Sequence, residues 1–145
     1  MKFVVCDYIA QELIKLKIEP RNIIIVSPED WYDFNAFKCR LDYIPHDVLN
    51  VAVHIEIDGQ RLLYATDTSR IEDIQAKGYD YYLIEGNYKK DELEERKNEK
   101  IKNGEFVIED RIVNSHLSYE QCLDFFMNNA KDSSVLEVMH QHKDR

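Results

Sequence analysis

The chain has 145 residues, 44% hydrophobic and 32% charged, with a formal net charge of −9. That length predicts a single domain over residues 1–145 that buries roughly 70% of the surface its unfolded chain would expose. The acidic balance excludes an extended nucleic-acid face, which would need Lys and Arg to neutralise phosphates, and no apolar stretch approaches the ~20 residues needed to span a bilayer.

Residues 3–6 are a short apolar run, and Asp7 and Gln11 interrupt it before a signal-peptide core can form, so a cytoplasmic protein is expected. Cys6, Cys39 and Cys122 are widely separated in apolar contexts and read as buried thiols of a reducing compartment. Ile9, Leu13, Leu16 and Ile18 fit a helical stripe, which Pro20 ends. The β-branched run at 23–26 predicts a buried strand, and Ser27-Pro28-Glu29-Asp30 predicts the start of a helix. Residues 36–44 alternate, and the strands at 48–57 and 61–66 are expected to pair through a tight Asp58-Gly59 turn. Ser69 and Glu72 form a capping-box pattern for a short helix with Ile71, Ile74 and Ala76 inward and Gly78 at its end. A strand follows at 79–85, then a solvated helix within 89–102 with a Glu92–Arg96 pair. Ser118 and Gln121 open another helix carrying Leu123, Phe126 and Met127, and 135–139 is a last strand. Alternating strands and helices with one antiparallel hairpin predict an α/β fold.

Several polar side chains stand at the ends of these strands, where ligands collect in α/β sheets. Asp67 reads either as a hard ligand or as a turn or helix cap, and His46 as a ligand or a loop histidine bonded to backbone. His116, two residues before the capped helix, is expected to be held neutral by the positive helix end, ready to bind an anion or a cation, or else to be an exposed loop histidine. His140 and His142 share a face of an extended strand or belong to a frayed tail. Glu85 orients a ligand histidine or caps a turn. His54 reads as structural, and no nucleophile elbow or Gly-rich phosphate loop is present.

Taken in order, HDVLN, the hairpin, YATDT, LIEGNY, NSHLSYEQCL and VMHQHK resemble the second half of the metallo-β-lactamase superfamily, in the branch containing tRNA 3′-end-processing ribonucleases and related phosphodiesterases. The resemblance implies a partial metallo-β-lactamase-like β-sandwich with flanking helices and a mixed sheet. It also implies metal ligands at His46, Asp67 and His140, and a catalytic role for His116. The H-x-H-x-D-H string that supplies most of that family's ligands is absent before residue 20, and its one counterpart is the run His140-Gln141-His142-Lys143-Asp144-Arg145. The chain is therefore expected to be truncated N-terminally relative to the family, with zinc or manganese as one ion or none. The activity implied is hydrolysis of a small phosphodiester or nucleotide by a metal-activated water. The alternative is a catalytically degenerate member that binds or regulates, or one half of a split or oligomeric hydrolase completed by a second copy or a companion chain.

Overall fold

In the computed structural model, which describes residues 1–141, two sheets carry the fold. β1 (Phe3–Val5) and β2 (Ile23–Ile25) pair in parallel across the helix α1 (Asp7–Lys15), which ends where Lys17 turns left-handed before a 3₁₀ turn at Pro20–Asn22. The second sheet has the order β3 (Tyr32–Asp33), β4 (Lys38–Ile44), β5 (Asn50–Ile57), β6 (Gln60–Ala65), β7 (Tyr81–Glu85) and β8 (Val135–Met139). Between β7 and β8 lie α2 (Lys90–Asn103), α3 (Glu109–Ser115) and α4 (Tyr119–Asn129). No helix among the described residues is long and apolar enough to cross a membrane.

Strand direction positions the site. β4, β5 and β6 pair antiparallel in succession, whereas β6, β7 and β8 pair in parallel. So β4, β6, β7 and β8 all point the same way, and their carboxyl ends share one edge of the sheet. The β5–β6 hairpin closes at Asp58 and Gly59, with φ of 50° and 77°, the pair of positive values that a two-residue turn matched to strand twist requires.

Two cores flank the large sheet. Cys6 and Val26, with Val4 and Ile24, pack on Leu41, Val51 and Val53, joining the small sheet to the large one as a sandwich. On the other side Leu63, Ala65, Tyr82 and Ile84 meet Leu117, Cys122 and Phe125. α4 opens with the expected capping box, Ser118 and Gln121 exchanging hydrogen bonds with each other's backbone. Its inward face is Cys122, Phe125 and Phe126, while Met127 is exposed. Tyr82 ties the core together: its hydroxyl donates to the Ala76 and Asn129 carbonyls and accepts from the Tyr79 amide. All three cysteines are free and buried.

Two expected helices are absent. At Ser27–Asp30 the chain turns instead, with Glu29 left-handed at φ 72° and its amide donating to the Leu41 carbonyl, so contact with β4 overrides the helix-start signal. After Ser69 the capping chemistry is diverted: Glu72 accepts from its neighbour Ile71, and the Thr68 hydroxyl bonds Arg70. Ile71, Ile74 and Ala76 are buried as expected, but from an irregular segment. α3 was not predicted.

Candidate metal centre

The shared carboxyl edge gathers the polar strand-end residues. His46 lies two residues beyond β4, Asp67 two beyond β6, Glu85 ends β7, and His140 follows β8 directly. His116 caps the C-terminus of α3 and faces the same place. His46, Asp67, His116 and His140, with Asp47, Asn87 and Arg111, line one open pocket of about 360 Å³. His142 lies outside the described residues.

His140 Nδ1 lies 3.1 Å from Asp67 Oδ1, and His116 Nδ1 lies 3.9 Å from the same oxygen. The rings of His46, His116 and His140 form a row, with centroids 5.2 and 5.1 Å apart in edge-to-face contact. The loops that carry them are tied together by backbone bonds: Ser69 donates to Pro45, Gly86 to Met139, and Asn87 to Leu117. Gly86 is required there, because a Cβ at that position would lie 2.6 Å from Val138 Cγ1. Asp67 and His140 adopt left-handed backbone, φ 56° and 50°, a region that non-glycine residues rarely occupy and that clusters at functional sites.

Glu85 is fully buried beneath His116. Its Oε1 lies 2.5 Å from His116 Nδ1, and its Oε2 accepts from the Thr68 amide. Burial pushes the Glu85 carboxyl up to about 7, and burial, followed by the neighbouring His46, pushes the His116 imidazole down. His116 is thus held neutral in the expected direction, by desolvation rather than by the helix end. His46 is anchored differently, its Nδ1 2.9 Å from the Ser115 carbonyl oxygen. Both imidazoles therefore spend Nδ1 on an oxygen and retain Nε2 for another partner. At the rim, Arg111 donates twice to Asp47 Oδ2, at 2.7 and 3.1 Å, and this hydrogen-bonded partner holds the Asp47 carboxyl below its usual range.

The donor set fits a cation. Ligand atoms of Asp67, Glu85, His116 and His140 all lie within 4.8 Å of one another, and two imidazoles with carboxylates are a donor set that can hold a metal ion. His46 lines the same pocket but stands outside that tightest group. Glu85 was foreseen only as an orienting or capping carboxylate; its burial, which follows from its place at the end of a central strand, was not foreseen. Asp47 and Arg111 had no signal beyond adjacency to His46 and charge on α3.

No protein-family model matches the chain, and no curated protein matches it. Solved structures do. The metallo-β-lactamase fold protein YhfI from Bacillus subtilis aligns with a TM-score of 0.71 at 14% identity, covering 98% of this chain and 53% of that one. The short form of human tRNase Z aligns at 0.61 and 12% identity, over 98% of this chain and 61% of that one. Zn²⁺-bound PqqB from Methylobacterium extorquens aligns at 0.52 and 17% identity, over 66% and 42%. The chain thus spans about half the length of these proteins, at 53%, 61% and 42%. These alignments show that the chain has a partial metallo-β-lactamase-like fold, an α/β arrangement built on a mixed six-stranded sheet.

Proposed function

We propose that the pocket binds one divalent cation, zinc or manganese, and that the protein hydrolyses a small phosphodiester or nucleotide there. The observation that carries this reading is the approach of Asp67, His116 and His140, from three separate elements, to within 4.8 Å of one another. Asp67 and His140 provide an oxygen and a nitrogen. The third donor in this reading is His116, whose Nδ1 pairs with Glu85 in a carboxylate–imidazole contact that fixes ring orientation and leaves Nε2 for the cation. His46, the third ligand expected from the sequence, is next in reach and is suited to exchanging a proton with the leaving oxygen. A bound cation supplies Lewis acidity and brings the pKa of water towards neutrality. Arg111, held at the pocket wall by Asp47, offers the guanidinium that an anionic phosphate prefers. That one fold neighbour is a tRNase supports a phosphodiester as substrate.

The test is hydrolysis of bis(4-nitrophenyl) phosphate by protein supplied with Zn²⁺ or Mn²⁺. Expected are loss of activity on chelation and in Asp67→Ala, and a fall of about 10²-fold or more in His46→Ala or His116→Ala. Activity indifferent to chelator would contradict the reading.

A second reading has its own observation. Ile14, Leu16 and Ile25 leave large apolar side chains exposed beside the small sheet, at 50, 74 and 58%. Exposed apolar side chains of this kind support coverage by a second copy or a companion chain, in keeping with a binding role. A monomer in analytical ultracentrifugation at micromolar concentration would remove the second-copy form.

A further inference from the structure

We infer that Asn50 and Asn87 are positioning residues of this centre, each holding one candidate ligand residue in left-handed backbone through a hydrogen bond to its carbonyl. The inference rests on the metal-centre reading above. Asn50, the first residue of β5, donates from Nδ2 to the carbonyls of Thr66, at 2.8 Å, and Asp67, at 3.0 Å. Its Oδ1 accepts from the Val51 amide at 2.9 Å, which sets the orientation of the carboxamide. Asn87, 4% exposed and two residues beyond β7, donates from Nδ2 to the His140 carbonyl at 3.2 Å, while its own amide bonds Leu117 beside His116.

The two asparagines are far apart in sequence and sit on different strand ends, yet they do the same thing. Each grips the residue whose φ is positive, 56° at Asp67 and 50° at His140, and these two residues carry the side chains 3.1 Å apart. A side chain's direction follows from its backbone, so relaxation of either φ would swing a ligand atom away from the other. Disfavoured backbone persists only where its surroundings over-determine it. The two carboxamides supply that determination without being ligands themselves.

The experiment is calorimetric titration of metal-free protein with Zn²⁺ alone, alongside thermal melting without metal, for the native chain, Asn50→Ala, Asn50→Asp, Asn87→Ala and the double alanine variant. Each single variant is expected to weaken Zn²⁺ binding by about 10- to 100-fold, and the double variant by more. Asn50→Asp, which keeps the shape but loses the N–H donors, weakens it at least as much as Asn50→Ala. The Co²⁺ visible spectrum is expected to change in band position in the same variants, reporting altered ligand geometry. Tyr82→Phe, which cuts core hydrogen bonds away from the pocket, is expected to lower the melting temperature and leave affinity within about twofold, as a purely structural loss should. Asn50 variants that bind Zn²⁺ as the native chain does, with an unchanged Co²⁺ spectrum, would overturn the inference and leave the metal reading intact. A native chain that takes up no Zn²⁺ would overturn both. Asn50 is partly exposed, so its variants decide the matter even if Asn87→Ala does not fold.

Discussion

Glu85 Oε1 and His116 Nδ1 stand 2.5 Å apart beneath the pocket, joining a buried carboxyl at the end of the central strand β7 to an imidazole that caps α3. The contact fixes the ring of His116 through its Nδ1. Above about pH 7, the value to which burial lifts this carboxyl, Glu85→Gln preserves the shape and the acceptor for Thr68 but removes the negative charge. The expected result is Zn²⁺ binding weakened by about 10-fold or more, measured by competition with a chromophoric chelator. Unchanged affinity would show that His116 needs no carboxylate behind it.

Gly86→Ala places a methyl group 2.6 Å from Val138 Cγ1, and valine has little rotamer freedom with which to yield. A cost of about 1–3 kcal/mol in denaturant unfolding is expected, together with weaker metal binding, because β8 delivers His140. Adding Val138→Ala should recover part of the affinity. No recovery would place the defect elsewhere.

His54 makes stability depend on pH. It is fully buried, with Nδ1 3.0 Å from the Tyr79 hydroxyl and Nε2 3.2 Å from Asp42 Oδ2. Asp42 is in turn held by Arg40, and the Trp31 ring covers the imidazole edge-on. Burial lowers the pKa of His54 below 6.5, and the Asp42 carboxylate opposes that shift only in part. The unfolded chain therefore binds this proton more readily than the native one. The contribution is fully present above about pH 6.5 and declines as pH falls from there towards the folded value. Melting curves from pH 7.5 to 5 are expected to fall more steeply for the native chain than for His54→Gln. Parallel curves would show that His54 takes up its proton without penalty.

Local features of the sequence were legible where local chemistry decides them. Asp58-Gly59 specifies its turn, Ser118 and Gln121 their capping box, and the charged run its solvated helix. Ser69 and Glu72 carried the same kind of signal and failed, because burial of Ile71, Ile74 and Ala76 under the sheet outweighs a cap of about 1 kcal/mol. α3 escaped notice because its seven residues, EDRIVNS, show too little apolar periodicity. The site was legible as a set of strand-end residues. Its convergence was not, since it depends on four strands running in one direction, which only their pairing defines. Asn50 and Asn87 act through backbone carbonyls and leave no motif.

The central claim is that Asp67 and His140 grip one cation together, and metal stoichiometry tests it most directly. Elemental analysis after equilibration with Zn²⁺ and removal of excess should find about one ion per native chain and none in Asp67→Ala or His140→Ala. Metal retained equally by the native chain and both variants, or absent from all three, would contradict it.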